Sequence, residues 1–201
     1  MKPTAVILGI AFASALGQAH SDGWNQFRGP NGSGVAKDGR PPVELDAARL
    51  AWKIALPPGL SSPVLSRKRV FLTGLAKGRL VTLAVDKADG KIAWQRPAPK
   101  VELEKVHKAS HPAAPSVLVA QNRVFTYFGS YGLICHDHDG RELWKKPIPT
   151  PKSLYGMSTS PILHGEHLIL VLDNDANLPG SRLSQSKIVA CDKTNGEIAW
   201  E

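Results

Sequence analysis

The sequence predicts an all-β protein, and within that class a β-propeller of four-stranded antiparallel blades. An eleven-residue stretch, "AVDKADGKIAW" at 84–94, returns almost unchanged as "ACDKTNGEIAW" at 190–200. A shorter version, "CHDHDGRELW", lies between them at 135–144, so the closing tryptophans are 50 and 56 residues apart. A repeat near 50 residues is typical of propellers, and the scattered 18 glycines and 16 prolines favour a turn-rich β protein.

The first residues are typical of a secretory signal peptide. Lys2 gives a basic start, residues 5–16 form an apolar run, and residues 17–19 supply small residues before a cleavage point. A short membrane anchor is the alternative, but crossing a bilayer needs about 20 apolar residues. We therefore predict a signal peptide over 1–19, then an N-terminal extended segment over 20–49. The protein is expected to be periplasmic or secreted, with no transmembrane segment in the mature chain.

Each repeat predicts four consecutive strands, which is the content of one propeller blade. The first strand follows a proline, a tight turn leads into the second, the third is a buried apolar run, and the fourth carries the tryptophan. Three unrelated hairpins are the alternative, but four strands that agree in three copies argue against it. We place a partial propeller over 50–201, with blades at about 60–96, 111–146 and 157–201.

The repeated motif has a physical role at each position. A glycine suits a tight turn with positive φ, and an aspartate can accept hydrogen bonds from turn amides. A tryptophan can pack on a neighbouring blade and still donate its N–H. The motif residues are Ala84, Asp86, Gly90 and Trp94 in the first copy, Asp137, Gly140 and Trp144 in the second, and Ala190, Asp192, Gly196 and Trp200 in the third.

The pattern Ala-x-Asp-x-x-x-Gly-x-x-x-Trp resembles the tryptophan-docking motif of the pyrroloquinoline quinone (PQQ) repeat, found in the quinoprotein alcohol dehydrogenase-like superfamily. The stretches "WNQFRGPNGSGVA" at 24–36 and "LAWKIALPPGLSSPVL" at 50–65 are similar to the start of exported PQQ-like propeller proteins. The resemblance covers residues 24–201 and implies that each docking tryptophan stacks on the next blade. It implies the fold more than the activity, because one fold carries many functions.

The number of blades predicts an incomplete ring. Propellers close with about 4–8 blades, whereas this chain has three blades and one orphan closing strand around Trp52. We expect a piece of a propeller with about seven or eight blades. The isolated polypeptide 20–201 should be a poor monomer, because it would expose a blade face and unpaired strand edges.

The loops that enter each first strand share one face of a propeller with the loops between second and third strands. One of these, "DNDANLPGSRLSQS" at 173–186, is unusually long, and long loops in compact folds are often functional. We predict a binding face there, lining the channel. Its candidate residues are Ser61, His111, Tyr131, Ser158, Asp173 and Asp175.

No metal site is predicted, although three groups of residues raise the question. Asp173, Asp175 and Asn177 alternate as in a calcium loop, but Leu178 and Ser184 replace the glycine and glutamate that such a loop needs. A loop held by side-chain to backbone hydrogen bonds is the preferred interpretation. Two histidine pairs could bind a transition metal, a solvated or packed pair being the alternative. These pairs are His107 with His111 and His136 with His138.

The two cysteines are relevant to whether the chain binds a quinone cofactor. Cys135 and Cys191 lie in apolar strands, which favours buried free thiols over a disulfide, although an exported protein could oxidise them. Quinoprotein dehydrogenases of the resembled family use an adjacent Cys-Cys disulfide, a Ca²⁺ held by Glu and Asn, a catalytic Asp and a Trp below the quinone. No adjacent cysteines exist here. We therefore leave the cofactor unknown, because the residues do not support the PQQ and calcium that the resemblance implies.

These observations favour an exported, non-catalytic binding or assembly scaffold. Its partner would be a protein or another extracytoplasmic ligand that docks on the channel face. A fragment of a PQQ-dependent quinoprotein dehydrogenase is the alternative, while a hydrolase or lyase has no supporting residue pattern and no catalytic residue is assigned. The net charge is +8, but the basic residues are spread along the chain without an aromatic-basic motif. Nucleic acid is therefore not an expected partner.

Overall fold

The computed structural model describes residues 23–36, 39–40, 42–44, 46–175 and 177–201. The predicted signal peptide lies outside the described residues. Within them the chain forms three four-stranded antiparallel sheets, joined by loops and three short 3-10 turns at Pro30–Gly32, Ala47–Arg49 and Leu183–Gln185. No helix in this described part is long and apolar enough to span a bilayer.

Each sheet is one blade whose strands follow one another in chain order. Blade 1 contains β1 (Val64–Leu65), β2 (Arg69–Ala76), β3 (Arg79–Asp86) and β4 (Ile92–Pro97). Blade 2 contains β5 (Leu118–Ala120), β6 (Arg123–Phe128), β7 (Gly132–Asp137) and β8 (Glu142–Pro147). Blade 3 contains β9 (Ile162–His164), β10 (His167–Leu172), β11 (Lys187–Asp192) and β12 (Ile198–Trp200).

The first strands lie together on the inside of the arrangement, with β1 beside β5 and β5 beside β9. The fourth strands form the outer edges of the three sheets. The sheets do not close into a ring, so the predicted incomplete β-propeller is confirmed. Residues 50–57, where an orphan closing strand around Trp52 is predicted, belong to no strand. A strand is defined by its hydrogen bonds to a neighbour, and the described part contains no partner strand for them.

The repeated motif produces the same irregularity in each blade. The pairing of the third and fourth strands shifts register after Ala84, Cys135 and Ala190, which are equivalent positions. Such bulges bend a strand and increase its twist. The turn that follows is closed by a hydrogen bond from the motif glycine N–H to the motif aspartate carbonyl, at 2.9, 3.1 and 2.8 Å in blades 1 to 3. The motif therefore encodes a bulge followed by a turn.

The apolar core lies between the blades. One cluster joins blades 1 and 2 and includes Val64, Phe71 and Val124. A larger cluster joins blades 2 and 3 and includes Leu133 and Leu168. Side chains from both faces of blade 2 are thus buried, which makes blade 2 the centre of the described structure.

Candidate functional site

The loops before blades 2 and 3 emerge on the same side as the turns between second and third strands, because the strands alternate in direction. We call this side the loop face. It is formed by residues 98–117, 129–131, 148–161 and 173–186. Its position above the inner strands is where sequence reasoning expected a binding face.

Glu104 connects three of these loops. Its backbone N–H donates to Ser130 Oγ at 3.0 Å, and its Oε2 accepts from the Met157 N–H at 2.9 Å. Its Oε1 is closed off from solvent and has no hydrogen-bond partner among the described residues. Burial raises the pKa of the Glu104 carboxyl, because a low-dielectric environment disfavours the charged form.

Tyr127 lies below this junction, at the core of blades 2 and 3. Its hydroxyl is also buried without a hydrogen-bond partner in the described part of the chain. Burial raises the pKa of Tyr127, and the nearby negative charge of Glu104 raises it further. The phenol of Tyr127 therefore stays protonated at neutral pH.

The long loop 173–186 is tied to the loop before blade 3 by its own polar side chains. Asn174 is buried, and its Oδ1 accepts from the Lys152 N–H at 2.9 Å, while the Asp175 N–H donates to the Lys152 carbonyl at 2.8 Å. Ser186 Oγ donates to Asp173 Oδ1 at 2.8 Å. These contacts match the interpretation of a loop held by side-chain to backbone bonds. The described residues contain no group of three or more acidic, histidine or cysteine side chains that could hold a metal ion.

A cleft of about 730 Å³ opens on the loop face between these anchored loops. One hydrogen bond crosses beneath it, from the His107 N–H to the Leu154 carbonyl at 3.1 Å, and the rings of His107 and Tyr155 are 4.8 Å apart. The volume is typical of a ligand pocket. The lining residues are Glu104, Lys105, Val106, His107, Thr150, Pro151, Lys152, Ser153, Leu154, Leu178 and Pro179.

The six residues that the sequence proposed for this face are dispersed over it. Within the described chain no hydrogen bond or ion pair joins any two of them, and none of the six lines the cleft. Tyr131 is 8% exposed and packs in a core cluster. The others are placed as follows: Ser61 Oγ bonds the Thr73 backbone, His111 Nδ1 accepts from the Ala113 N–H, Ser158 is exposed, and Asp173 accepts from Ser186.

Sequence reasoning missed a chain of serine contacts beside the inner strands. The Ser62 N–H donates to Ser116 Oγ and the Ser116 N–H donates to Ser160 Oγ, both at 2.9 Å. Each bond links one blade to the next. The signal is present in the sequence as a serine next to the proline that starts every blade.

Trp52 and the motif tryptophans Trp94 and Trp144 form a second set of contacts, at the opposite end of the sheets. The indole N–H of Trp52, Trp94 and Trp144 donates to the carbonyl one residue after the motif aspartate, at 2.9, 2.8 and 3.2 Å. A Cβ at the motif glycine would lie 2.6 or 2.7 Å from the indole in all three copies. Trp200 differs, because its side chain is 50% exposed.

Of the cysteines and histidines of the motif region, Cys135, Cys191 and His136 are buried and His138 is half-buried. Cys135 and Cys191 are buried free thiols on β7 and β11. His136 and His138 pack against aromatic rings, His136 at 5.7 Å from Trp94 and His138 at 5.5 Å from Phe71. The described residues contain no disulfide and no group of three or more acidic, histidine or cysteine side chains that could hold a metal ion.

Comparison with known proteins agrees with this architecture. A PQQ-repeat family model described as "Outer membrane protein assembly factor BamB" matches residues 34–154 and 59–201. A comparison with curated proteins gave no match.

Solved structures give the same fold at low sequence identity. A europium-containing methanol dehydrogenase is 16% identical with a TM-score of 0.53, and the match covers 76% of this chain and 26% of the dehydrogenase chain. Quinohemoprotein alcohol dehydrogenase from Comamonas testosteroni is 18% identical with a TM-score of 0.50, over 72% and 21%. BamB from Moraxella catarrhalis is 18% identical with a TM-score of 0.47, over 75% and 38%. The chain thus spans 21–38% of the length of these structures. For the two dehydrogenases, likeness at this identity shows the fold alone.

Proposed function

Since the chain belongs to the PQQ-repeat family described as outer membrane protein assembly factor BamB, we propose that it is a non-catalytic scaffold that binds a protein partner through its loop face. The description of the family names an assembly factor, which supports a binding role for this chain. We propose in addition that the chain is exported, with residues 1–19 as its signal peptide and 20–49 as an extended segment before the propeller. Its place of action would be the periplasm or the extracellular medium.

The observation that carries this proposal is the pre-formed cleft of the loop face. Three loops from two interblade connections and one hairpin are fixed to each other by hydrogen bonds of 2.8 to 3.1 Å. Two large apolar side chains, Leu154 and Tyr155, are 47% and 55% exposed there. A rigid surface loses little conformational entropy on binding, and exposed apolar groups with polar rims are typical of interaction sites.

The motif tryptophans support the scaffold by joining blades. We propose that Trp52, Trp94 and Trp144 act as docking residues, each fastening its own segment to the next blade by one hydrogen bond and one contact with a glycine. The repeated motif is then a stability device. This role leaves the loops, which differ among the three blades, free for recognition.

The alternative is a fragment of a PQQ-dependent dehydrogenase. The purified chain should be incubated with PQQ and Ca²⁺ and assayed for dye-linked alcohol oxidation. In parallel, a photo-crosslinking amino acid should be placed in the producing cells at Tyr155 on the loop face, and at Lys91 on the opposite face as the matched control. A discrete crosslinked protein from Tyr155 alone, without dye reduction, is the expected result. Dye reduction that depends on PQQ would overturn the proposal in favour of the dehydrogenase.

A further inference from the structure

We propose that the loop-face cleft binds an extended peptide segment that carries both apolar side chains and a carboxylate. This inference rests on the proposed function and specifies the chemistry of the partner. It follows from three properties of the cleft: its walls, the charge at its rim and the position of its one acidic residue.

The walls of the cleft are mainly apolar and come from separate loops. Val106 belongs to the loop before blade 2, Leu154 and Pro151 to the loop before blade 3, and Leu178 and Pro179 to the long hairpin loop. Apolar walls on several sides favour a ligand with several apolar side chains. A peptide segment provides these at regular intervals, whereas an inorganic anion has none.

The rim of the cleft carries free positive charge. Lys105 and Lys152 are exposed, and neither pairs with a carboxylate in the part of the chain that the structure describes. On the opposite face, two turn cations have acidic partners, in the 2.7 Å pair of Lys91 with Asp89 and the 2.8 Å pair of Lys193 with Glu166. Unpaired cations around an apolar cleft favour an acidic ligand through charge complementarity.

The single acid of the cleft does not oppose such a ligand. Glu104 Oε2 accepts the Met157 N–H, and Oε1 is closed off from solvent near Gly129. The carboxylate is therefore turned into the protein, away from the open side of the cleft. The cations that line the cleft are Lys105 and Lys152, and both are exposed.

The shape of the cleft favours a protein segment over a membrane surface. The lining residues form a concave site between loops that are already hydrogen-bonded to each other, as in the bond from Asp175 N–H to the Lys152 carbonyl. A lipid surface would contact a convex, protruding apolar group. A short extended segment can enter the concave site without rearranging the loops.

The test uses the purified full chain and a phage-displayed library of random twelve-residue peptides. Selected peptides should be enriched in Asp or Glu flanked by Leu, Ile or aromatic residues. In fluorescence anisotropy, the double variant Lys105→Glu/Lys152→Glu should bind a selected, labelled peptide about tenfold or more weakly. The double variant Lys68→Glu/Lys91→Glu, which reverses two charges on the opposite face, should bind as the parent chain does. Circular dichroism on both variants verifies that they fold.

Several outcomes would overturn the inference. Enrichment of basic peptides, or acidic peptides whose affinity is the same for the Lys105→Glu/Lys152→Glu variant, would remove the cleft as their site. If such peptides still lose affinity with another loop-face variant, the proposed function survives and only the cleft is wrong. If the library yields no binder, both the peptide-binding cleft and the proposed scaffold function are rejected. Phosphatidylglycerol vesicles that bind the parent chain, lose binding with the cleft variant and displace the peptide would assign the cleft to a lipid instead.

Discussion

The two interfaces between blades share a motif but differ in chemistry. Between blades 1 and 2, Thr82 Oγ1 donates to Thr126 Oγ1 at 3.1 Å, and two histidines pack beside the aromatic rings. Between blades 2 and 3, the corresponding space is filled by a cluster of aliphatic and aromatic side chains with two thiols. The tryptophan contact is present at both. The repeated motif thus gives both interfaces the same tryptophan contact, while the side chains of the strands determine the other contacts of each interface.

A substitution in the interface between blades 2 and 3 should have the largest effect on the free energy of unfolding. Leu168 is fully buried in the cluster between blades 2 and 3. The substitution Leu168→Ala should lower the free energy of unfolding by about 2–5 kcal/mol through lost burial and a cavity. Val171 lies on the same strand but is 49% exposed, so Val171→Ala should cost under about 0.5 kcal/mol. Urea unfolding followed by circular dichroism measures both, and equal losses would contradict the buried interface.

A glycine substitution measures the tryptophan contact that both interfaces share. Gly140 has φ of +82°, and a Cβ there would lie 2.7 Å from the Trp94 indole. The substitution Gly140→Ala should cost about 2–4 kcal/mol, because a clash with the ring adds to the strain of a positive φ. Gly78 has φ of +73° with no atom within 4 Å, so Gly78→Ala reports the strain alone, about 1 kcal/mol. Similar losses in thermal melts of the two variants would show that the indole contact adds nothing.

The interface between blades 1 and 2 should respond to acid through its two histidines, His136 and His138. Burial lowers the pKa of His136 to about 4, with smaller effects from Glu142, Arg96 and Asp137. Burial also lowers the pKa of His138, whose charged neighbours are Asp139, Arg69 and Asp137. Both histidines are therefore neutral in the folded protein at neutral pH.

The sign of the effect follows from the lowered values. In the unfolded chain His136 binds a proton near pH 6.5, whereas in the folded chain it does so only near pH 4. The contribution of neutral His136 to the free energy of unfolding is therefore complete above about pH 6.5 and is lost as the pH falls towards 4. The loss should reach at most about 3 kcal/mol for His136. The variant His136→Val carries the residue that blade 1 has at this position, Val85. Its unfolding free energy should fall less between pH 7 and pH 4, and an unchanged pH profile would exclude His136 as the cause.

The smallest effect should come from the threonine pair at the same interface. Thr82→Val leaves Thr126 without its buried partner and should cost about 1–2 kcal/mol. The double variant Thr82→Val/Thr126→Val should cost less than the sum of the two single variants, because no unpaired hydroxyl remains. A double-mutant cycle in urea tests this, and strict additivity would mean that the two hydroxyls do not interact.

The architecture could be predicted from the sequence because it repeats. Period, turn residues and apolar runs are local signals, so blades, strand order and the Asp-Gly turns followed from them. The site contacts are not local. Glu104 meets Met157 across 53 residues, and Ser116 meets Ser160 across 44. These partners depend on how two loops end beside each other after the blades have docked. Tyr131 shows the same limit, since its place in a loop between the second and third strands made it a candidate for the binding face, while its ring packs in a core cluster.

The buried thiols make the interface between blades 2 and 3 observable in time. Burial raises the pKa of Cys135 to about 12, so the closed protein presents almost no thiolate to an alkylating reagent at neutral pH. Cys135 and Cys191 lie in the same interblade cluster, one from each blade. Their modification therefore requires that cluster to open, and the rate of labelling counts the openings. The alkylation rate of these two native cysteines, measured by mass spectrometry, therefore reports how often blades 2 and 3 separate.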